Sequence, residues 1–249
     1  MFDLTGKNAI ITGSSKGIGK SIAAAMAQQG ANVVISSRKA DVCEATAEEI
    51  NSMGFPGKAI VIPCNISDKT ALEMLVEETR AQLGQIDILV CNAASNPFFG
   101  SIKDIPDEAF EKIMNNNINS NHNLCQMVIP EMMERKDGSI IIVSSIGGLN
   151  ASPVIGAYNI SKAGLIYMTK QLAMELAPDV RVNGIAPAIV KTKLSEMLWI
   201  SDEKGSADLH ALKKLGEPED VASLIYFLSS DDASWITGEV VTIDGVFLL

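Results

Sequence analysis

Short apolar segments alternate with longer amphipathic segments along the 249 residues of the chain. Seven of the short segments are rich in β-branched residues and apolar at nearly every position, which is typical of strands covered on both faces. They are Asn8–Thr12, Asn32–Ser36, Lys58–Pro63, Ile86–Cys91, Ser139–Ser144, Arg181–Ala186 and Val240–Ile243. Strands that alternate with helices join through right-handed crossovers into a parallel sheet. The pattern therefore predicts a single α/β domain with a doubly wound, seven-stranded parallel sheet over residues 1–249.

The amphipathic segments predict the helices that cover this sheet. They are Ile18–Gln29, Ala40–Ser52, Lys69–Gln82, Asp107–Glu134, Ser152–Leu176 and Val221–Ser229. Helix-start signals precede three of them, namely Ser67-Asp68, Asp107-Glu108 and Glu217-Pro218-Glu219-Asp220. Residues 193–215 interrupt the regular alternation of strands and helices. They follow the sixth strand, at the carboxyl ends of the strands, where open sheets bind ligands. We expect this segment to be a substrate lid, with an ordinary pair of surface helices as the alternative.

Three glycines, Gly13, Gly17 and Gly19, lie between the first strand and the first helix. Their spacing differs from the G-x-G-x-x-G fingerprint, so the strand before and the helix after carry the assignment. In this context a glycine turn presents backbone N–H groups and a helix N-terminus to a phosphate. The turn therefore predicts a Rossmann-type dinucleotide site.

The end of the second strand bears on which dinucleotide binds. An acidic residue at this point would bind the 2′-hydroxyl of NAD, but the sequence reads Ser36-Ser37-Arg38-Lys39, and Lys16 lies within the glycine turn. Hydroxyls and cations favour the 2′-phosphate of NADP(H). NAD(H) stays possible if Arg38 and Lys39 are solvated loop charges and Asp41 turns inward.

Tyr158 and Lys162, four residues apart, would share one face of a helix. A phenol titrates near pH 10, and an ammonium one turn away would lower its pKa, so that Tyr158 could donate and accept a proton. Of the three tyrosines, only Tyr158 is followed by a lysine four residues later. Together with the phosphate turn, this pair predicts redox chemistry on a carbonyl or alcohol with a nicotinamide cofactor.

Composition excludes several other classes of function. A net charge of −10 argues against nucleic acid or an anionic membrane as the main partner. Four scattered cysteines and two isolated histidines argue against a metal site or a disulfide framework, and favour buried thiols in a cytoplasmic protein. We expect no signal peptide, membrane span or peroxisomal C-terminal signal. The apolar end, Phe247-Leu248-Leu249, should pack in the core or against a partner subunit.

At this point the residues resemble the short-chain dehydrogenase/reductase superfamily of the classical type, over essentially the whole chain. The matching motifs are Thr12-Gly13-Ser14-Ser15-Lys16-Gly17-Ile18-Gly19, Asn92-Ala93-Ala94, Asn117, Ser145, Tyr158-Asn159-Ile160-Ser161-Lys162 and Arg181-Val182-Asn183. A closer resemblance links the chain to NADPH-dependent carbonyl reductases that act on retinal and aromatic ketones. It rests on Ser36–Lys39, Asn96–Ser101, Val143–Ile146, Met197–Trp199 and Leu215–Asp220.

The resemblance implies a role for each matched residue. Tyr158 would be the general acid/base, Lys162 would hold the nicotinamide ribose and depress the tyrosine pKa, Ser145 would orient the substrate carbonyl, and Asn117 would hold a proton-relaying water. Ser145 is preferred to Ser144 by its 13-residue interval to Tyr158. The implied cofactor contacts are Gly13, Ser15, Lys16, Gly17, Ile18, Gly19, Ser37, Arg38, Asn65, Ile66, Asn92, Ala93, Tyr158, Lys162, Pro187, Ile189 and Thr192.

Four positions depart from the family pattern. Ala94 replaces the glycine of the family's Asn-Ala-Gly motif, as it does in the retinal-reducing relatives. Asn65 replaces an aspartate that meets the adenine amino group, and its amide oxygen could still accept that bond. Ala188 replaces a glycine, which would weaken cofactor binding if the turn needs a left-handed backbone. Val246 replaces a glycine near the C-terminus and puts the contacts there in doubt.

The resemblance also implies a mostly apolar substrate pocket. We expect it to be lined by Ala94, Ser95, Phe98, Phe99, Ile146, Gly147, Leu149, Met197, Leu198 and Trp199, and to take a hydrophobic ketone or aldehyde. One alternative is a 3-oxoacyl-acyl-carrier-protein reductase, which would use Lys191, Lys193, Lys213 and Lys214 to receive an acidic carrier. A non-enzymatic alternative is a regulator that senses NADP(H). Relatives form homotetramers through the two long helices, and we expect the same here.

Overall fold

The computed structural model describes residues 2–248. Within this range the strands form one parallel sheet in the order β3-β2-β1-β4-β5-β6-β7. They are β1 (Asn8–Thr12), β2 (Asn32–Ser36), β3 (Ala59–Val61), β4 (Ile88–Cys91), β5 (Ser139–Val143), β6 (Arg181–Pro187) and β7 (Val240–Ile243). The predicted seven-stranded parallel sheet is confirmed. Predicted and observed strand ends differ by one or two residues; Pro63, for example, has no N–H to continue the β3 ladder.

The helices also follow the sequence pattern. They are α1 (Gly17–Gln28), α2 (Ala40–Ser52), α3 (Lys69–Leu83), α4 (Asp107–Met114), α5 (Ser120–Arg135), α6 (Gly156–Leu176), α7 (Glu203–Asp208) and α8 (Pro218–Ser229). The Asp68 carboxylate accepts the N–H of Thr70 at 2.9 Å and so caps α3. α8 begins three residues before the predicted start, because Pro218 suits a first helical position and Asp220 accepts the Glu217 N–H at 2.9 Å.

One predicted helix is not regular. The segment expected as a single helix over Asp107–Glu134 is interrupted between α4 and α5 by a π-helical turn over Asn115–Asn119. Such insertions occur frequently at functional sites. The longest helix, α6, has 21 residues. Among residues 2–248, no helix combines the length and hydrophobicity that a bilayer crossing requires.

Alternate residues of the strands supply two separate hydrophobic cores. Ile11 and Val33 face the layer formed by α1, α2 and α8, whereas Ile10 and Val34 face the layer of α3, α5 and α6. All four cysteines are buried and unpaired, as the sequence indicates. Because both faces are covered, side chains that do chemistry can reach solvent mainly at the ends of the strands.

The order of the strands fixes where a ligand can bind. The chain leaves β1 toward β2 on one side, whereas β4 pairs with β1 on the other. A crevice forms at the carboxyl ends of the strands where the order reverses, and open α/β sheets bind ligands there. The predicted site residues follow the carboxyl ends of β1 to β6. They therefore meet on the side of the sheet where these strands end.

Candidate active site

The glycine turn has the backbone geometry of a phosphate site. Gly13 and Gly17 have φ angles of +68° and +54°, in the left-handed region that favours glycine. A Cβ atom on Gly19 would lie 2.4 Å from the Gly13 carbonyl oxygen. Lys16 precedes α1 without a side-chain cap, and the first turn contains no acidic residue. The turn therefore fits the phosphates of a dinucleotide, which would meet the N-terminus of α1.

Asn92 fastens this turn to the neighbouring strand. Its amide nitrogen donates to the Thr12 carbonyl at 2.8 Å, and the Thr12 hydroxyl accepts the N–H groups of Asn92 and Ala93 at 3.1 and 3.0 Å. A Cβ atom on Gly13 would lie 3.1 Å from the Cα of Ala93. Asn92 and Ala93 therefore position the turn and bring the ends of β1 and β4 together.

The end of β2 presents two cations beside the turn. Arg38 and Lys39 are exposed and form no ion pair within residues 2–248. The Ser37 hydroxyl lies 3.1 Å from the Cys43 sulfur. Asp41 is exposed in the first turn of α2. Two unpaired cations at this point fit an additional phosphate.

After β3, Asn65 uses its amide oxygen locally. Asn65 Oδ1 accepts hydrogen bonds from the Ser67 hydroxyl at 2.9 Å and the Ser67 N–H at 3.3 Å. The expected bond from an adenine amino group would compete with these contacts. Ile66 packs against the core on the α3 side of the sheet.

The segment after β6 closes over the glycine turn. A Cβ atom on Gly17 would lie 3.2 Å from the Cγ2 of Thr192. Ala188 follows Pro187 with its N–H bonded to the Ile243 carbonyl at 2.9 Å, and its backbone is not left-handed. The alanine at this position therefore costs no backbone strain, and the weakening of cofactor binding considered for Ala188 has no conformational basis.

The two serines after β5 have different partners. The Ser144 hydroxyl is buried and donates to the Lys162 carbonyl at 2.7 Å, which ties β5 to α6. Ser145 lines a cavity and accepts the Gly147 N–H at 3.1 Å. Ser145 thus lines the cavity and Ser144 does not, whereas the role of Ser145 toward a substrate stays a prediction.

Tyr158 and Lys162 lie on α6, with the lysine Nζ 5.4 Å from the centre of the tyrosine ring. Tyr158 lines the same cavity as Ser145. Lys162 is 2% exposed, and its Nζ donates to the Val143 carbonyl at 2.7 Å. The pair is therefore adjacent, as predicted, but the ammonium is directed toward the end of β5.

The predicted acidification of Tyr158 is wrong for the protein alone. Burial raises the pKa of Tyr158 to about 12, and a hydrogen bond with the Ser145 hydroxyl lowers it only in part. Burial also lowers the pKa of Lys162 to about 7, so the amine carries less positive charge near neutral pH than an exposed lysine. Removing both groups from water disfavours the charged form of each, and this desolvation is the largest influence on both pKa values.

Asn117 is fully buried in the π-helical turn, and protein groups engage its amide. Its Oδ1 accepts the Ser95 N–H at 2.9 Å, and its Nδ2 donates to the Ser95 carbonyl at 3.1 Å and to the Ser161 hydroxyl at 3.0 Å. The amide hydrogens that would hold a relay water are thus occupied. The contacts instead fasten the segment after β4 to α6, next to Lys162.

The cavity beside Ser145 and Tyr158 has a volume of about 270 Å³ and mostly apolar walls. Phe99, Ile146, Gly147 and Leu198 line it, as predicted. The prediction was wrong for six other residues, which are not in its wall: Ala94, Ser95, Phe98, Leu149, Met197 and Trp199. Ser95 turns toward the π-helical turn, Met197 points into solvent, and the Trp199 indole donates to Ser195.

Sequence reasoning missed the part of the wall that comes from distant segments. The missed residues include Asn96, Val154, Ile155, Leu194, Phe247 and Leu248. Only Asn96 lies in a stretch that had carried a motif resemblance. Val154 and Ile155 begin the segment predicted as a helix, Leu194 lies in the expected lid, and Phe247 and Leu248 were expected only to pack, so no local signal indicated that these residues meet at one cavity. Leu194 and Leu198 bring the expected lid segment 193–215 to the cavity, whereas its closure over a ligand stays a prediction.

The C-terminal residues that follow β7 reach the cavity through a strained turn. Val246 has φ +63°, which is rare for a β-branched residue. The Asp244 carboxylate stabilises the turn by accepting the N–H groups of Val246 at 2.9 Å and Leu248 at 3.1 Å. Phe247 packs against the His210 ring at 5.0 Å and lines the cavity. The residues around Val246 therefore do contact the rest of the protein, although a valine replaces the glycine of the family pattern. Leu249 lies outside the described residues.

A family profile described as enoyl-(acyl carrier protein) reductase matches residues 13–246. Among curated proteins, dehydrogenase/reductase SDR family member 4 of Homo sapiens is 43% identical over 245 residues, covering 97% of this chain and 87% of the relative. The mitochondrial dehydrogenase/reductase SDR family member 2 of Homo sapiens is 38% identical over 249 residues, covering 97% of this chain and 86% of the relative.

Solved structures give the same result. A 7 alpha-hydroxysteroid dehydrogenase complexed with NADH and 7-oxo glycochenodeoxycholic acid has a TM-score of 0.92 at 33% identity, covering 98% of this chain and 95% of the other. A short-chain type dehydrogenase/reductase from Mycobacterium marinum has a TM-score of 0.92 at 34% identity, covering 99% and 97%. The protein is therefore an oxidoreductase that belongs to the short-chain dehydrogenase/reductase superfamily.

Proposed function

We propose that the protein reduces a hydrophobic ketone or aldehyde to the alcohol with NADP(H). The observation that carries this proposal is a single cavity. Its wall contains the Ser145 and Tyr158 hydroxyls, mainly apolar side chains, and Ala188 and Ile189 from the segment after β6. The same segment covers the glycine turn through Thr192. A carbonyl held by the two hydroxyls would therefore lie beside the dinucleotide site.

Bound at the glycine turn, the nicotinamide cofactor would supply the hydride. Ser145 would donate a hydrogen bond to the substrate carbonyl oxygen and orient it. Tyr158 would donate its phenolic proton to the same oxygen as negative charge develops there. A phenol whose pKa is raised to about 12 stays protonated at neutral pH, which is the form that reduction requires. Lys162, with its pKa lowered to about 7, could resupply a proton from one helical turn away.

We place the 2′-phosphate of NADP(H) against Arg38, supported by Lys39 and Lys16. Replacing Arg38 by glutamine should raise the KM for NADPH about 10- to 100-fold, because a charge-assisted hydrogen bond is lost. The KM for NADH should stay unchanged. Initial rates at varied cofactor concentration measure both constants.

The matched control is Lys58→Gln, which removes an exposed cation before the amino end of β3. Arg38 follows the carboxyl end of β2, so the two cations lie at opposite ends of the strands. It should leave both constants unchanged. An equal rise for NADPH and NADH in Arg38→Gln would show that Arg38 does not discriminate between the cofactors, and would contradict this assignment.

The lysines offered for an acidic carrier protein are paired within the chain. Lys191 forms ion pairs with Glu203 at 2.7 Å and Glu217 at 3.2 Å. Lys193 pairs with Glu196, Lys214 with Asp220, and the Lys213 ammonium donates to the Asp208 carbonyl. Since three of these four lysines are ion-paired and the net charge of the protein is −10, they should attract an acidic partner weakly. This favours a free small molecule over a carrier-bound substrate.

An apolar stripe on α6 favours self-association. Ile160, Tyr167 and Met174 recur every seven residues on one face and are 50%, 69% and 81% exposed. Burying such a stripe against the same stripe of a second copy would stabilise a symmetric assembly. We therefore expect a homotetramer, with the long helices at one of its interfaces.

The test of the proposed reaction is a panel of substrates with the purified protein. NADPH oxidation should occur with aromatic and aliphatic ketones or aldehydes, and an acetoacetyl thioester should be a poor substrate. Turnover of a polar sugar without turnover of any apolar carbonyl would contradict the proposal, because the mostly apolar cavity wall favours a hydrophobic substrate.

A further inference from the structure

The C-terminal turn (residues 244–248) holds a backbone conformation that costs free energy. Val246 has φ +63°, and within residues 2–248 it is the only β-branched residue with a left-handed backbone. A residue in such a conformation persists only where its surroundings hold it there, and outliers of this kind cluster at sites that bind ligands. The strain at Val246 therefore calls for a function of the residues that it places.

Hydrogen bonds from two directions hold the C-terminal turn in place. The Asp244 carboxylate accepts the N–H groups of Val246 at 2.9 Å and of Leu248 at 3.1 Å. From the segment 193–215, the Leu212 N–H donates to the Gly245 carbonyl at 3.2 Å. The turn is thus fixed both to the end of β7 and to the segment that borders the substrate cavity.

The turn places the Phe247 ring in the wall of the substrate cavity with a buried ring behind it. Phe247 lines the same cavity as Ser145 and Tyr158. Its ring centre lies 5.0 Å from that of His210, which is 2% exposed. The His210 Nδ1 lies 3.0 Å from the Ser206 carbonyl oxygen, which holds the imidazole in place. A ligand that pushes on Phe247 would therefore have to displace a buried, hydrogen-bonded side chain.

Other apolar residues of the cavity wall are not backed in this way. Phe99, Val154 and Leu198 are exposed, so they lie where the cavity opens to solvent. Phe247 and Leu248 are half-buried. A substrate group directed toward the opening can extend into water, whereas a group directed toward the C-terminal turn meets a closed wall. Phe247 therefore limits how large that second group can be.

We propose that Phe247 sets the upper size limit of the carbonyl compounds that the protein reduces, and that Asp244 positions it. This inference rests on the proposed carbonyl reduction. The cavity volume is about 270 Å³, whereas a cavity of about 150 Å³ is enough for benzene. The substrate class is thus hydrophobic ketones and aldehydes with one aromatic ring or an alkyl chain of similar size.

Two ketones with the same reacting group test the size limit. Acetophenone has one ring, and 4-acetylbiphenyl adds a second ring in line with the carbonyl. Phe247→Ala removes the ring from the wall, so it should raise kcat/KM for 4-acetylbiphenyl about 10- to 100-fold and leave the value for acetophenone no higher than in the wild-type protein. Initial rates with saturating NADPH measure both constants.

Asp244→Ala tests the positioning of the ring. This variant keeps the phenyl ring and removes the acceptor of both N–H groups of the turn. The turn should then lose its strained conformation, and kcat/KM for 4-acetylbiphenyl should rise in the same direction as in Phe247→Ala. A general loss of stability would lower the activity on both ketones in the same proportion.

Phe110→Ala is the matched control, because Phe110 on α4 is an aromatic residue that does not line the cavity. It should leave the ratio of the two kcat/KM values unchanged. Thermal unfolding and NADPH binding show whether each variant is folded. If Phe247→Ala does not fold, Phe247→Leu takes its place, with a rise in the same direction.

The inference would be overturned, with the proposed function intact, if the folded Phe247 variant reduced 4-acetylbiphenyl no better than the wild-type protein. An equal gain in Phe110→Ala would overturn it as well. A gain in Phe247→Ala without one in Asp244→Ala would refute the positioning role of Asp244. Failure of the wild-type protein to reduce any carbonyl compound would instead contradict the proposed function.

Discussion

Replacing Tyr158 by phenylalanine should lower kcat for carbonyl reduction about 100- to 10,000-fold, the range by which a positioned general acid accelerates proton transfer. The variant loses one oxygen and keeps the ring that packs in the cavity wall. The glycine turn is on another part of the sheet edge, so NADPH affinity should be nearly unchanged. Single-turnover rates and a fluorescence titration with NADPH measure the two quantities separately.

This contrast also separates an enzyme from a sensor of NADP(H). A sensor needs no proton donor, so it would respond to the cofactor equally well with phenylalanine at this position. Ser144→Ala is a suitable comparison, since the Ser144 hydroxyl is bonded to the Lys162 carbonyl and does not border the cavity. Full carbonyl reduction by Tyr158→Phe would contradict the role given to the phenol.

Replacing Lys162 by methionine should stabilise the protein at neutral pH and abolish most of its activity. Burial lowers the pKa of Lys162 from 10.5 to about 7. A lysine of this kind destabilises the native state fully below its native pKa and not at all above its unfolded pKa. The free energy of unfolding of the wild-type protein should therefore rise between pH 7 and about 10, and this rise should be absent from the variant.

The expected gain at pH 7 is about 1–3 kcal/mol, since the variant avoids burying an ammonium but leaves the Val143 carbonyl without its partner. Urea unfolding from pH 7 to 10 measures it as a difference between the two proteins. Lys58→Met controls for general effects of charge, because Lys58 is exposed and its removal should leave the pH dependence as it is. A variant less stable than wild type at pH 7, with the same pH dependence, would contradict the prediction.

The relation between Tyr158 and Lys162 shows where sequence reasoning was right and where it was wrong. The interval of four residues correctly predicted that the two side chains are adjacent on a helix. The pKa of the phenol could not be predicted in the same way, since it depends on how much water the surrounding segments exclude. Burial dominates here, so the pKa of Tyr158 is raised where the sequence led us to expect depression.

Asn117 gives a similar lesson. The resemblance singled out Asn117, and the structure places it in the π-helical turn, where its amide is bonded to Ser161 of α6. What the sequence could not show is that Ser95 and Ser161 occupy its amide. A hydrogen-bond partner 22 or 44 residues away leaves no local signal, because it depends on how three separate segments pack together.

The periodicity of apolar residues and the glycine turn by themselves determined the parallel sheet, the helices that cover it and the edge that bears the site. These features follow from local rules: strands covered on both faces are apolar throughout, and a left-handed turn before a helix requires glycine. The tertiary structure alone decided the cavity wall and the strained turn at Val246 that brings Phe247 into it. Each of these depends on contacts between segments distant in the chain, whose burial and hydrogen bonding exist only after the protein has folded.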